Sequence, residues 1–420
     1  MTKDLTQGSP ARLILGFALP LLAGMLFQQL YNLVDTMIVG RFLGVQALAG
    51  VGATGSINFL VMGFCMGICS GFAIPVAQQF GAREEGRMRE FVANGAWLSI
   101  AFSVVITVLT VVYCRDILLA MNTPEDCLQE AYDYIVVIFA GIPFTFLYNL
   151  LSGYLRSLGD SRTPLYFLIL SSVLNVALDL TLILVFHMGV FGASLATVIL
   201  CLLFIAVKVP ILHLSRDEMR MRSHRMTELC RYGVPMGLQY SITAIGSVIL
   251  QVAVNSLGSM AVAATTAGGK VLNFLACPFD ALGSTMATYG AQNVGASRYD
   301  RLNRGLFASS AMGFAYSALA FCIAWFFGRM LTGLFVSGEG SEELIGLARQ
   351  YMIANVSFYP LLTLVNVVRF TIQGMGFSMF AILAGVMEMV ARGVVGVLLV
   401  PVWGFLGAAL GSPLAWLFAD

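Results

Sequence analysis

Long apolar runs dominate the chain: twelve mostly apolar segments, the shortest of 17 residues, can be marked off along its 420 residues. An α-helix needs about 20 such residues to cross the roughly 30 Å hydrocarbon core of a bilayer. The segments fall at 12–38, 48–79, 91–113, 131–153, 164–186, 190–213, 230–256, 261–292, 305–327, 344–373, 378–400 and 404–420. The fold class expected is an all-α polytopic membrane protein with twelve transmembrane helices. Only 11% of residues are charged, less than half of the roughly 25% usual in soluble domains, which excludes a water-soluble globule. Transmembrane barrels are excluded too, since they read as roughly ten-residue alternating stretches. A net charge of +1 gives no global attraction to nucleic acid.

Met1 to Pro10 are polar and lead into the first run without a small-residue cleavage pattern, so no removable signal peptide is expected. Most of the eight cysteines sit inside apolar runs, where a reduced thiol packs as a small hydrophobe; only Cys114 and Cys127 share a loop.

Lysine and arginine set the orientation. Sixteen lie on one side of the expected spans, among them Arg83, Arg87, Arg89, Arg216, Arg220, Arg222, Arg225, Arg298 and Arg301, and four on the other, Arg41, Arg115, Arg329 and Arg349. Lys270, Arg369 and Arg392 fall within spans. Both termini are therefore expected to be cytoplasmic, in a multi-pass protein of the inner (plasma) membrane.

The longest polar segment, His213 to Arg231, separates two sets of six spans, and the sets repeat. Ala18-Leu19-Pro20 recurs as Gly233-Val234-Pro235 and Asn58-Phe59-Leu60 as Asn273-Phe274-Leu275, both 215 positions on. Ala77-Gln78-Gln79-Phe80-Gly81-Ala82 recurs as Ala291-Gln292-Asn293-Val294-Gly295-Ala296 at an offset of 214, and Pro143 and Asn149 match Pro360 and Asn366 at 217. Six spans separate the copies, so they are parallel repeats, an arrangement that favours two bundles facing a central cavity and alternating access over a channel. The expected domains are an N-terminal lobe, 1–213, a linker, 214–230, and a C-terminal lobe, 231–420, whose last helix reads as truncated beside 190–213.

Ionisable groups at membrane depth cost roughly 2.5–3.5 kcal/mol on insertion scales, which makes each a functional candidate. In the first span Gln28, Asn32 and Asp35 share one helical face with Tyr31 beside it. A cavity-facing stripe and an interfacial Asp35 paired with Arg41 both fit. Asp179 lies one turn after Asn175 in the fifth span, and Thr197 falls at a similar depth on the sixth. Asp35, Asn175, Asp179 and Thr197 form the candidate site. Its oxygen ligands suit Na⁺, and two close buried carboxylates also suit uptake and release of H⁺. A hydrogen-bonded cluster that only fixes helix packing is the bland alternative. The repeat places Leu250 and Gly396 at the positions of Asp35 and Asp179, so the cluster is not repeated. Glu388 and Arg392 are spaced to neutralise one another. Asp280 either faces the cavity or pairs with Lys270. Gln28, Tyr31, Asn32, Asn149, Asp280 and Met286 are the candidate cavity residues; flexible methionine and aromatic faces suit amphipathic organic cations.

No His-Glu-x-x-His, Gly-x-Ser-x-Gly or phosphate-loop pattern occurs, and His187, His213 and His224 do not cluster. No enzyme, cofactor or nucleotide-driven pump is expected; the energy would come from an ion gradient.

On Ala18-Leu19-Pro20, the stretch Val34 to Arg41, both Ala-Gln motifs, Gly153 to Asp160, and Asn175 with Asp179, the chain resembles the multidrug and toxic compound extrusion (MATE) family, bacterial branch, over essentially its whole length. The resemblance implies two six-helix lobes arranged as a V, and export of amphipathic cations by antiport with H⁺ or Na⁺. It also implies an ion site at Asp35, Asn175, Asp179 and Thr197, and bending of the first helix at Pro20. Here the seventh span has no acid between Arg231 and Ser256 and the tenth carries Arg369, so the resemblance does not extend to a C-lobe cation site. A lipid or lipid-linked oligosaccharide flippase of the same superfamily is the alternative, for which Lys270, Arg369 and Arg392 would serve phosphate. The expected partners are the bilayer, cationic small molecules and the coupling ion; a monomer is expected.

Overall fold

The computed structural model describes residues 4–43, 45–121, 123, 125, 127–181, 183, 217–334 and 341–420. The expected sixth span, 190–213, and with it Thr197, lies outside them. The first half is built from α1 (Pro10–Phe42), α2 (Val45–Ala82), α3 (Glu85–Val112), the short α4 (Cys114–Ala120), α5 (Leu128–Ala140), α6 (Ile142–Ser157) and α7 (Arg162–Leu180). The second holds α8 (Ser223–Asn255), α9 (Ser259–Gly295), α10 (Tyr299–Gly333), α11 (Ser341–Ser357), α12 (Tyr359–Gly374) and α13 (Met379–Val394). A π-helical turn (Val395–Leu399) and the short helices α14 (Val400–Trp403), α15 (Phe405–Ala409) and α16 (Gly411–Ala419) complete it. Among the described residues seven helices are long and apolar enough to cross a membrane, and nine if each of two bent pairs is one span.

Those two bent pairs show how the repeat shapes the fold. α5 and α6 meet at 51°, α11 and α12 at 49°. Pro143 and Pro360 stand at the second position of α6 and α12. A proline there has no N–H to lose and a ring that fits the first turn, so the chain restarts a helix along a new axis. Pro20 and Pro235 instead lie inside α1 and α8, where each deletes one rung of the backbone ladder.

Two compact units result. Unit 1 comprises Met1–Asp4 and Ala23–Gly237; unit 2 comprises Leu5–Leu22 and Leu238–Asp420. The long helices α1 and α8 each change unit two residues after their proline, at Leu22/Ala23 and at Gly237/Leu238.

Within unit 1, α2 and α8 meet through two glycine pairs of the same spacing, Gly67 with Gly71 and Gly233 with Gly237. A methyl group added at Gly71 would sit 2.5 Å from the Gly233 Cα, and one at Gly67 2.5 Å from the Met236 carbonyl oxygen. Membrane helices gain nothing from burying apolar surface against each other rather than against lipid, so backbone approach of this kind supplies their adhesion.

The repeated Ala-Gln motifs end α2 and α9 alike. Arg83 (φ 61°) and Ser297 (φ 56°) take left-handed conformations. Arg83 N donates to Phe80 O and Glu84 N to Gln79 O, at 3.1 and 3.0 Å; Ser297 N and Arg298 N donate to Val294 O and Asn293 O, at 2.9 and 2.8 Å. These bonds satisfy the last carbonyls, but a residue with a Cβ is strained there. In unit 2 the motif also holds the chain entering α1: Leu5 N donates to Gln292 Oε1 (2.9 Å), Asn293 Nδ2 to Leu5 O (3.3 Å) and Arg298 Nη1 to Thr6 O (2.9 Å). In unit 1 the segment entering α8 is held by α3, where Asn94 Oδ1 accepts from Arg222 N (2.8 Å) and Trp97 Nε1 donates to Met219 O (3.0 Å).

Two substitutions should move stability in opposite directions. Gly71→Ala overpacks the α2–α8 contact and should cost about 1–3 kcal/mol, whereas Ser297→Gly relieves the left-handed strain and should gain about 1 kcal/mol. Thermal unfolding in detergent reads both; a Gly71→Ala protein that melts with the parent contradicts the packing.

Candidate functional site

The first-span stripe is in place on α1. Gln28 and Asn32 are exposed, and Tyr31 and Asp35 are half-buried. On α7, Asn175 is buried at 1% exposure; Asp179 belongs to the helix, and its side chain is outside the described residues. Two contacts fix how α1 and α7 pack. Midway along α1 and early in α7, a methyl at Gly24 would touch the Leu168 side chain at 3.4 Å. Further on, Ile38 and Val39 of α1 and Ile183 beyond α7 form one apolar cluster with Val34, Val176 and Leu180. Both contacts advance by nearly the same number of residues on each chain segment, so the helices run parallel. Eleven residues beyond Gly24 is Asp35, and eleven beyond Leu168 is Asp179. At 1.5 Å per residue both positions stand about 16 Å above the first contact, at one level.

Among the remaining cavity residues, Asn149 is half-buried and donates to the Thr145 carbonyl at 2.9 Å. Met286 is fully buried in α9. Asp280, on the same helix, is exposed. Ten residues of helix set Lys270 about 15 Å from Asp280 along the axis, too far to pair. The partner of Asp280 is on α12 instead, where Asn366 Nδ2 donates to its Oδ1 at 3.1 Å.

That bond opens a buried network in unit 2. Arg369 Nη2 donates to Asn366 Oδ1 (3.1 Å) and Arg369 Nη1 to Glu388 Oε1 (2.8 Å). Arg392 Nη2 lies 3.3 Å from Glu388 Oε2. With the Gln239 amide turned so that its oxygen faces the cation, it accepts from Arg369 Nη1 (3.0 Å) and Nε (3.3 Å), leaving its nitrogen 2.9 Å from the Gln373 amide. One guanidinium thereby reaches residues of α8, α12 and α13 directly and α9 through Asn366. The side chains of Glu388, Arg392 and Arg369 are only 4%, 8% and 17% exposed, so the two cations and the carboxylate are satisfied by each other rather than by water.

The expected Glu388–Arg392 pair is thus present, with Arg369 as a third member. Sequence reasoning marked Arg369 as buried but gave it no partner, and did not single out Gln239 or Gln373. The available signal was spacing: Gln373 lies four residues after Arg369, on its helical face, and Gln239 four after Pro235.

The MatE family profile matches residues 20–181 and 235–398. The chain belongs to the MatE family. Among curated relatives, "Probable multidrug resistance protein YoeA" of Bacillus subtilis (strain 168) is 29% identical, the match covering 86% of this chain and 80% of that protein. "Probable multidrug resistance protein YpnP" of the same organism is 27% identical over 85% and 81%. A crystal structure of MATE in complex with MaL6 superposes with a TM-score of 0.92 at 20% identity, covering 100% of this chain and 96% of that one. This MatE chain is accordingly a multi-pass membrane protein with the twelve-helix, two-lobe fold.

The network makes a quantitative demand. Removing Arg369 leaves the buried Glu388 with one cation fewer and should cost about 3–5 kcal/mol. Arg329→Ala breaks only the exposed ion pair with Glu342 and should cost at most about 1 kcal/mol. Equal melting losses for Arg369→Ala and Arg329→Ala would contradict the network's role.

Proposed function

We propose that this MatE protein is a secondary active multidrug exporter, moving amphipathic organic cations out of the cell by antiport with H⁺ or Na⁺, the ion binding at Asp35, Asn175, Asp179 and Thr197. The observation that carries the reading is the parallel packing of α1 on α7, which brings positions 35 and 179 to one level next to the buried Asn175. Carboxylates brought close together at membrane depth repel unless they share a proton or a cation. The multidrug-resistance names of the two Bacillus subtilis relatives support the substrate class.

The energetics suffice. One charge crossing 100 mV releases about 2.3 kcal/mol and one pH unit about 1.4 kcal/mol, and 1.4 kcal/mol corresponds to a tenfold concentration ratio. Ion uptake from outside removes charge at the site. The missing rung at Pro20, beside the residue where α1 changes unit, gives the helix a place to respond. Gln28, Tyr31, Asn32 and Asn149 remain the proposed drug-contacting residues of unit 1 and Asp280 that of unit 2, whereas Met286, fully buried, leaves the expected set. The protein is proposed to be a monomer of the plasma membrane with both termini cytoplasmic. The flippase alternative is disfavoured because, of the three cations it would offer to phosphate, Lys270, Arg369 and Arg392, the two arginines are already engaged by Glu388.

Proteoliposomes loaded with a fluorescent organic cation test this under an imposed pH or Na⁺ gradient. Asp35→Asn and Asp179→Asn should each lower gradient-driven efflux about tenfold or more, the equivalent of one lost charge-assisted interaction, while leaving melting close to the parent. Undiminished efflux in both variants would remove the coupling assignment.

A further inference from the structure

The internal repeat superimposes two buried places that carry opposite chemistry. Gly159 and Gly376 both take positive φ, 81° and 105°, and α7 and α13 start at Arg162 and Met379, all at an offset of 217. The packing keeps the same frame. In unit 1 Gly24 lies against Leu168; in unit 2 Gly385, the equivalent of Leu168, lies against Gln239, the equivalent of Gly24. Thirteen residues of unbroken helix beyond those starts, Asn175 of unit 1 corresponds to Arg392 of unit 2.

Both side chains are buried, the residues being 1% and 7% exposed. Where unit 1 has an amide within the proposed ion site, unit 2 has a guanidinium. Arg392 points its Nη2 at Glu388, 3.3 Å away, and its Nη1 at the Thr243 carbonyl, 3.4 Å away. Glu388 stands at the position of Ser171 and Thr243 at that of Gln28. The acids of unit 1 have no equivalents here: Asp35 corresponds to Leu250 and Asp179 to Gly396, where a methyl would lie 3.2 Å from Ala253 Cβ.

We propose that Arg392 is a tethered cation, so that unit 2 carries permanently, as part of its chain, the positive charge that unit 1 takes up from solution. Two consequences follow. Ion exchange is confined to unit 1, a consequence that rests on the coupling reading above. Independently of it, cutting back the Arg392 side chain leaves in unit 2 a vacant place bordered by the Glu388 carboxylate and the Thr243 carbonyl, and its ligand class is a small planar cation with N–H donors, the free guanidinium ion. Arg369 does not fill that place, because its own donors are held by Glu388 Oε1 and Asn366 Oδ1.

The probe is guanidinium chloride well below denaturing concentration, with equal sodium chloride and tetramethylammonium chloride as controls. It is applied to purified parent, Arg392→Ala and Arg392→Lys in melting and in proteoliposome efflux. Arg392→Ala should lose about tenfold in efflux, the size of one charge-assisted hydrogen bond, and guanidinium alone should restore it and raise its melting temperature. The parent and Arg392→Lys, whose place is filled, should not respond. A folded Arg392→Ala protein that transports like the parent, or that guanidinium does not restore, overturns the proposal. Should Arg392→Ala fail to fold, the parent decides: initial efflux rate against coupling-ion concentration should give a Hill coefficient of about 1, and a coefficient near 2 overturns it. If Asp35→Asn and Asp179→Asn keep gradient-driven transport, the coupling reading falls on that result alone, and the guanidinium response of Arg392→Ala is still read separately.

Discussion

Hydrocarbon gives two apolar helices no reason to prefer each other to lipid, so what holds this protein together is how closely backbones approach. Several of the described helix contacts are made at a glycine, and in two of them the repeat keeps the contact while moving the glycine to the other partner. Gly24 against Leu168 in unit 1 becomes Gln239 against Gly385 in unit 2. Gly153, lying against Cys69, becomes Phe370 lying against Gly283. A volume conserved across a contact constrains neither position separately. Two halves with little shared sequence can therefore keep one helix register, with matched bends of 51° and 49°.

That register decides where charge is tolerable. An ion in the bilayer survives by pairing, by lining a wet cavity, or by functional exchange. In unit 2 the first solution prevails: Arg369 and Arg392 enclose Glu388, the side-chain amides of Asn366 and Gln239 accept from Arg369, and the Thr243 carbonyl accepts from Arg392. Buried pairs of this kind are weak evidence for net stability, since apolar replacements of equal volume often do as well. Their consequence is geometric, because a satisfied guanidinium has a single arrangement of neighbours and fixes α8, α12 and α13 around it.

Features written in local chemistry were legible in the sequence. Apolar runs announced the spans. Pro143 and Pro360 stood out as repeat partners, and their offset of 217 carried through to Gly159 and Gly376, although the spans 131–153 and 344–373 read as unbroken and are bent by 51° and 49°. The common level of Asp35 and Asp179 could be reached by counting, because residue number converts directly into height along a helix. Interactions across helices were not legible. The Ala291 to Ala296 motif stood out only as a repetition, and nothing local indicated that Gln292 and Asn293 bind the backbone of Leu5. Of the two readings of Asp280, facing the cavity or pairing with Lys270 on the same helix, the second fails, and Asn366, which donates to it, is 86 residues away. Gln239 and Gln373 carry no charge to draw notice, and their importance arises from the cation they surround.

The comparison between halves has a further implication. At four equivalent positions unit 1 has Asp35, Ser171, Asn175 and Asp179, and unit 2 has Leu250, Glu388, Arg392 and Gly396. The first set contains two acids and no base; the second contains one of each. On the coupling reading proposed above, a set with two acids in a medium of low dielectric favours the state with a proton or cation added, and its geometry then depends on whether that ion is present. In the second set the carboxylate of Glu388 is already held between Arg392 and Arg369. Duplicated frames with the same helix packing thus carry different charge at the same positions: on that same reading, one half changes state with the ion, while the other keeps its cation as part of its chain.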